Sequence, residues 1–462
     1  MFNAQAHCVF TLKKQRFRQT TTNLMLRKFN IQKLSVLKSN SRLRAIIANT
    51  GWLFTDRILR MGVGLLIGVW IARYLRVQQY GLLNYAIAFV SLFSPFATLG
   101  LDNVVVRDLV RDSSHRKQIL GTTFWLKLLG GVGSLLLSVS FICLIRQDEN
   151  LTIWLVAILA TAGIFQALDT IDLWFQSQVQ SKYTVVAKNT AFVIITLIKV
   201  ALIKMHASLI AFAWASLAEI GLGAVGLAII YKVKGHPLLV RGWNFPLAKA
   251  LLKESWPYIF SSLAILIYMK IDLIMLGQMV GDNAVGIYSA ATRISEVWYF
   301  IPTAITSSVS PSIYAAKQIS EDLYYRRIGQ LLRLLVLLSL VIALPMTFLS
   351  GTITSMLFGN AYAGAGPILA IHIWAALFVF MGLAISPWFN AESLAHLSMY
   401  ITFMGAIINV VLNLFLIPSY AGLGAAIATV ISYGFASFLS NVIHPKTRKI
   451  FRLQIQSLIM MR

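Results

Sequence analysis

Read as a pattern of apolar and polar positions, the chain is a succession of long hydrophobic stretches separated by short polar breaks. Twelve stand out, at approximately 46–72, 84–106, 119–145, 151–175, 183–203 and 208–231, then 256–279, 285–312, 331–350, 366–389, 395–417 and 420–443. Most match the roughly 20 residues that a helix needs to cross a bilayer. Small and apolar residues recur in them with helical rather than alternating period. Strands of a membrane barrel would be about 10 residues long and alternating, and no stretch reads that way. The pattern predicts an all-α membrane protein of about twelve transmembrane helices.

Composition agrees. Of 462 residues, 58% are hydrophobic and 12% charged, with a mean hydropathy of +0.74. Soluble domains lie near 45–50% apolar and about 25% charged, so a soluble enzyme is excluded, as is a disordered chain. The two cysteines, Cys8 in a basic tail and Cys143 in an apolar run, predict no structural disulfide.

The net charge of +24 suggests a nucleic-acid partner until the charges are mapped. With a cytoplasmic N-terminus, cytoplasmic tails and loops hold 29 of the 40 Lys and Arg: ten before residue 45, five after 444 and fourteen in loops. The opposite side holds four, Arg73, Arg76, Arg146 and Lys204. This asymmetry follows the positive-inside rule. It predicts both termini inside and leaves no excess charge to explain by nucleic acid. Residues 1–44 contain no signal-peptide core. They read as a basic cytoplasmic tail on anionic lipid, as an over-long start before Met25, or by composition as a transit peptide. Residues 444–462 read as a second basic tail with an interfacial amphipathic helix.

The halves resemble each other. A shift of about 205 residues sets Trp52 near Trp256, YGLLNYA at 80–86 on VGIYSAA at 285–291, and Pro95 near Pro302; a shift of 215 sets Ala211 on Ala426 and Ala213 on Ala428. Six spans per half make both enter the membrane in one direction, so the repeats are parallel and related by an axis along the membrane normal. The expected division is an N-terminal lobe at 45–231, a basic inter-lobe loop at 232–255 and a C-terminal lobe at 256–443. A transporter needs such a duplication; a receptor or anchored enzyme does not.

Seven cations fall inside spans: Arg57, Arg60, Lys127, Lys188, Lys199, Lys270 and Arg293. Each costs roughly 2.5–3.5 kcal/mol at the bilayer centre. Lys127, Lys188 and Lys199, and Asp169 and Asp172, lie near membrane faces and read as structural or snorkelling groups. Arg57, Arg60, Lys270 and Arg293 sit deepest, in matching spans of both halves. Asp56 and Arg60 are four apart and share a helix face, continued by Gly64 and Gly68 in small-xxx-small spacing. Asp272 lies beside Lys270, and Glu296 beside Arg293. The four cations outnumber Asp56, Asp272 and Glu296, which predicts a water-filled cationic cavity for an anionic substrate, the carboxylates serving as charge partners or ion-coupling groups. Interhelical clamps are the bland alternative. Asn84, Ser91, Ser94, Thr98 and Asp102 form a thinner polar stripe.

No nucleotide-binding loop, metal-ligand spacing or catalytic constellation is present, so neither an enzyme nor a cofactor is expected. His372 and His396 read as packing residues, and Asn409 and Asn413 as interhelical hydrogen-bonding groups.

The strings GVWIARYLRVQQYGLLNYAIA (68–88), KIDLIMLGQMVGDNAVGIYSAATRISEVWYFIP (270–302) and INVVLNLFLIPSYAGLGAAIATVIS (408–432) resemble the polysaccharide-biosynthesis flippases. These are the O-antigen and exopolysaccharide transporters of the multidrug/oligosaccharidyl-lipid/polysaccharide exporter superfamily. The resemblance runs from about Asn49 to Ser440, with one departure at Arg76, where the family usually has glycine. It implies transfer of a polyprenyl-pyrophosphate-linked oligosaccharide, as in O-antigen lipopolysaccharide or exopolysaccharide synthesis, across a bacterial inner membrane. It further implies a coupling proton or sodium ion and a polysaccharide polymerase as partner. The substrate role falls by position on Arg57, Arg60, Lys270 and Arg293. A drug/cation antiporter of the superfamily would want unpaired cavity carboxylates. A lipid II flippase would commonly have two more spans, and a membrane glycosyltransferase a large outer loop with acidic residues.

Overall fold

The computed structural model describes residues 41–112, 115–236 and 242–459, without the side chains of 41–50 and 53–55. Nearly all of the basic tail 1–44 lies outside them. The described chain is helical throughout, with no strand among the described residues. Helix Ser41–Thr98 breaks at Arg76 into α1 (41–75) and α2 (77–98). Then come α3 (Asp102–Arg111), α4 (Arg116–Ile145), the kinked α5 (Asn150–Ser177), α6 (Lys182–Lys204) and α7 (Leu209–Val233). The second half comprises α8 (Phe245–Met279), α9 (282–319), α10 (Glu321–Phe358) and α11 (Ala365–Ala391). Helix Ala395–Gly434 breaks at Ala421 into α12 (395–420) and α13 (422–443), and α14 (Arg448–Ile459) ends the described chain.

Nine helical stretches among the described residues are long and apolar enough to cross a membrane. Two of these stretches contain the breaks at Arg76 and Ala421. α9 is not among the nine; it carries Asp282, Arg293, Glu296 and Lys317.

Packing explains the two lobes. One buried cluster, with Leu75, Tyr80, Leu209, Leu276, Val285 and Phe358, draws on both halves at the end of the bundle that the charge asymmetry places outside. Two others are separate, one around Val105, Trp174 and Tyr231, the other around Ile328, Phe380 and Trp388. The lobes therefore share one core at that end; at the other, Gly100 lies against Ser255 and Tyr258 of α8, while Ile58 of α1 and Phe260 of α8 are exposed.

The repeat is visible where α2 crosses α9. A Cβ at Gly81 would overlap the Asp282 carbonyl, and one at Gly286 would overlap the Val77 carbonyl. The offset that joins Gly81 to Gly286 also joins Val77 to Asp282, so each half presents its glycine to the equivalent carbonyl of the other. That reciprocity is the mark of a twofold contact. Glycine is required there because the backbones touch.

Three expected boundaries shift. The segment 232–255 is largely helical among its described residues, because α8 starts at Phe245, where Asn244 Oδ1 accepts the Leu247 N–H at 3.0 Å as an N-cap. Ala248 and Leu251 of this extension are buried in the first lobe's own cluster. The span expected over 84–106 stops at Thr98, since Leu99 (φ 53°) and Gly100 (φ 64°) turn the chain into α3. In the tail 444–462, α14 docks on the second lobe: Ile450 is buried, and Gln454 Nε2 donates to the Ser437 carbonyl at 2.7 Å.

Candidate functional site: a charged cavity between the lobes

α1 and α2 of the first lobe and α8 and α9 of the second enclose a cavity of about 340 Å³. Its charged lining is Arg60, Lys270, Arg293 and Glu296; Tyr80, Asn84, Ser289 and Thr292 add polar groups. A smaller space of about 250 Å³ adjoins it inside the first lobe and shares Gly64, Tyr80, Asn84 and Arg293 with it. Three of the four expected substrate-binding cations thus converge. Arg57 does not: it is exposed on the part of α1 where Ile58 and Leu59 are exposed too, and it lines neither space.

The cations differ in how far they are neutralised. Arg60 Nε donates to Asp56 Oδ1 at 2.8 Å, the expected pair one turn apart, and Arg60 Nη1 lies 3.7 Å from Glu219 Oε1. Glu219 of α7 also accepts from Lys199 Nζ at 2.9 Å, so Asp56, Arg60, Glu219 and Lys199 form a four-charge chain with no net charge. The buried Arg60 Nη2 nevertheless has no hydrogen-bond partner among the described residues. Lys270 Nζ lies 3.3 Å from Glu296 Oε2.

Arg293 is different. It extends from the second lobe into the first, where Nη2 donates to the Gly64 carbonyl at 2.7 Å and Nη1 to Tyr80 Oη at 3.4 Å. No carboxylate pairs with it among the described residues. Its guanidinium lies where a Cβ on residue 68 would be, so Gly68 is what lets it pass. The small-residue stripe expected to bring helices together instead admits a cation. With the other ion pairs cancelling, the lining carries the positive excess on Arg293.

Two expected pairings are corrected. Glu296 takes Lys270, not its helical neighbour Arg293, which is directed across the lobe boundary. Asp272 is no partner of Lys270: residues two apart on a helix point about 200° apart. The Asp272 carboxylate is 4% exposed and faces the second lobe's interior. There Asn413 Nδ2 donates to Oδ1 at 2.6 Å, and Tyr288 Oη and Thr429 Oγ1 donate to Oδ2 at 2.9 and 2.5 Å. Asn413 also donates to Asn409 Oδ1 at 3.1 Å, in keeping with the expected hydrogen-bonding role, while its own buried Oδ1 has no partner. No Lys or Arg pairs with Asp272 among the described residues.

The remaining intramembrane cations are structural. Lys127, 1% exposed, reaches Asp102 at 2.5 Å, and Lys188 reaches Asp169 at 2.8 Å. His372 is buried in packing, its Nδ1 3.0 Å from Ser295 Oγ. Among the described residues no group of three or more His, Cys, Asp and Glu could hold a metal ion.

Comparison with known proteins gives this geometry a lineage. A family model described as polysaccharide biosynthesis protein matches residues 46–317, and a second, MatE, matches 257–415. The chain is similar to a probable flippase AglR of Haloferax volcanii, 32% identical over 196 residues that cover 39% of this chain and 38% of that one. It is also similar to a probable low-salt glycan biosynthesis flippase, Agl15, of the same organism, 22% identical over 46% of this chain and 48% of that one. The aligned part is thus under half the length of either relative. Among solved structures, an inward-facing MATE-family multidrug transporter of the MOP superfamily superposes with a TM-score of 0.70 at 13% identity, covering 86% of this chain and 95% of that one. Lipid II flippase MurJ, inward closed, gives 0.68 at 17% identity, covering 90% and 91%. Matched over more than half its length, the chain belongs to the polysaccharide biosynthesis protein family, and its fold is that of these transporters.

Proposed function

We propose that the protein is a flippase that carries a polyprenyl-pyrophosphate-linked oligosaccharide across the cytoplasmic membrane by alternating access. The observation that carries this reading is Arg293, a cation without a carboxylate partner among the described residues, placed in an open cleft to which both lobes contribute walls. A guanidinium is a strong, geometrically specific partner for phosphate oxygens. Arg60, with an unpartnered buried N–H at the same cavity, supplies a second donor. The pyrophosphate sits between them, and the prenyl tail remains in lipid. A drug/cation antiporter is disfavoured because Asp56, Glu219 and Glu296 are all held by cations.

The topology that fits is twelve crossings in two six-helix lobes, with both termini inside. The joined ends of the lobes then close the outer side, and this conformation is the one that loads substrate from the cytoplasm. Asp272 is the coupling group. A buried carboxylate beside the orphaned Asn413 Oδ1 and the Thr429 hydroxyl offers oxygen ligands to a proton or a sodium ion. A glycan polymerase that uses the delivered lipid is the expected partner.

Flipping of a polyprenyl-pyrophosphoryl glycan in proteoliposomes tests the reading. Arg293→Gln abolishes transport with the protein still folded, and Arg293→Lys retains part of it. Full transport by Arg293→Gln would refute the reading.

A further inference from the structure

The smaller space beside the main cavity shares Arg293 with the proposed pyrophosphate site and reaches past it among the first lobe's helices. Apart from Arg293, its lining comes from the first lobe alone, from α1, α2, α6 and α7, around a volume of about 250 Å³. Its walls are apolar and aromatic, with Ile67, Leu83, Phe192 and Phe212. Between them stand a few polar groups with unused capacity. Asn84 gives its amide nitrogen to the Tyr80 carbonyl at 2.7 Å, and its Oδ1 has no partner among the described residues. The Ser216 hydroxyl donates to the Phe212 carbonyl at 2.9 Å. The Thr196 hydroxyl makes no such bond. Glu219 Oε1 is 3.7 Å from Arg60, beyond hydrogen-bond length.

Ring-faced walls with a carboxylate, an amide oxygen and a hydroxyl form the kind of largely apolar pocket whose few polar groups fix orientation. The chemistry fits a sugar ring, which has apolar C–H faces and a rim of hydroxyl donors. A free drug cation would want the carboxylate without Lys199 on it, and Lys199 holds it at 2.9 Å. The wall between the two spaces is formed by Gly64, Tyr80, Asn84 and Arg293. A pyrophosphate bound at Arg293 and Arg60 would therefore have its glycosidic end at the mouth of the smaller space.

We infer that this first-lobe space is a carbohydrate subsite, which seats the sugar attached directly to the pyrophosphate and reads it through Asn84, Thr196 and Glu219. The inference rests on the proposed flippase function and adds where the headgroup lies. It makes the first sugar a specificity determinant and leaves the distal glycan to the open part of the cleft.

Binding to the full-length protein in nanodiscs separates the two ideas. The probes are a polyprenyl pyrophosphate without sugar, and the same lipid bearing one hexose or one N-acetylhexosamine. The unsubstituted protein is expected to bind at least one sugar-bearing lipid about tenfold more tightly than the sugarless one. Thr196→Val, nearly isosteric, should remove most of that gain and leave sugarless affinity unchanged. Ser216→Leu, which fills the space, should do the same, with thermal melting checking that both variants fold. Arg293→Gln should weaken every probe. A gain untouched by both Thr196→Val and Ser216→Leu, or no gain with any sugar, overturns the subsite while the pyrophosphate reading stands. Sugarless binding that ignores Arg293→Gln overturns both.

Discussion

Arg146 Nη1 at the end of α4 lies 3.1 Å from Asp282 Oδ1 at the start of α9, across the boundary between the lobes. The arginine is 7% exposed, donates from Nη2 to the Gly277 carbonyl at 2.9 Å and from Nη1 to Glu149 Oε2 at 2.7 Å, and lies over the Tyr85 ring at 4.0 Å. Separation of the lobes at this end must break the Asp282 and Gly277 contacts together. Truncating one member of a buried, hydrogen-bonded charge pair costs about 2–5 kcal/mol. Arg146→Met should therefore shift the equilibrium toward the state open at this end, by roughly thirtyfold if about 2 kcal/mol is lost. Labelling of single cysteines placed near residue 282 reads the shift; unchanged labelling would contradict it.

The same contact sets a pH dependence. Burial pushes the Asp282 carboxyl above its ordinary range, outweighing the pull of Arg146. Opening at this end would expose the group and return it toward an ordinary carboxylate. The closed state therefore binds the proton more tightly, and by linkage closure is favoured as pH falls from above the raised value toward the ordinary carboxylate range. Glu149 opposes this only at lower pH, because the Thr152 and Arg146 hydrogen bonds hold it below its usual value. Closed-end labelling should fall on acidification from neutral pH, and Asp282→Asn should flatten the response.

Gly68→Ala is expected to act as an Arg293 variant in disguise. The added methyl occupies the space of the guanidinium, so the arginine must leave Gly64 and Tyr80. Transport should drop by at least tenfold with normal membrane insertion, while Gly62→Ala, where a Cβ meets nothing, should be silent. Equal activity of the two variants would show that the Arg293 pose is dispensable.

Exchange of Asp56 and Arg60 keeps the pair and moves the positive charge one helical turn from Glu219 and the cavity. Transport should fail with the protein present at normal level. Full transport would make the pair a clamp and withdraw Arg60 from substrate binding.

Arg76 (φ 60°, ψ 175°) occupies a region of backbone space open essentially to glycine, at a cost of order 1–3 kcal/mol. Arg76→Gly should stabilise the protein by about 1 kcal/mol, less than the strain released because glycine also loosens the unfolded chain. A lower melting temperature for the variant would contradict this.

What was legible in the sequence was whatever depends on local spacing or on repetition. The Asp56–Arg60 pair follows from a four-residue spacing, and the shift that aligned residues 80–86 with 285–291 recurs as the reciprocal Gly81 and Gly286 contact. The family's glycine at the Arg76 turn is likewise explained by its φ. What depends on helix rotation was hidden. Glu219 was overlooked because its partner Lys199 lies on the neighbouring helix, and no spacing rule tells which faces two helices turn to each other. Arg146 read as an outer-loop charge because its burial comes from Tyr85 and Gly277, far away in the chain. Arg57 looked equivalent to Arg60 by depth alone, yet only Arg60 has neighbours around it. The divergence of Asp272 from Lys270 follows from spacing alone, since two residues of separation on a helix exclude a shared direction.

The extension of α8 into the first lobe makes the boundary between repeats in the gene different from the boundary in the packed molecule. Ala248 and Leu251 complete a core otherwise built from residues before 232, and Arg107 is ion-paired to Glu254. If the protein were produced as two separate polypeptides, a cut in 234–244 would give a first fragment with an open core and a second with an orphaned apolar helix end. A cut beyond Ser255 would keep that core whole but sever α8 itself. The two lobes are therefore not interchangeable modules: the first is finished by the second half's chain, while the second lobe's own core is built from residues after 297.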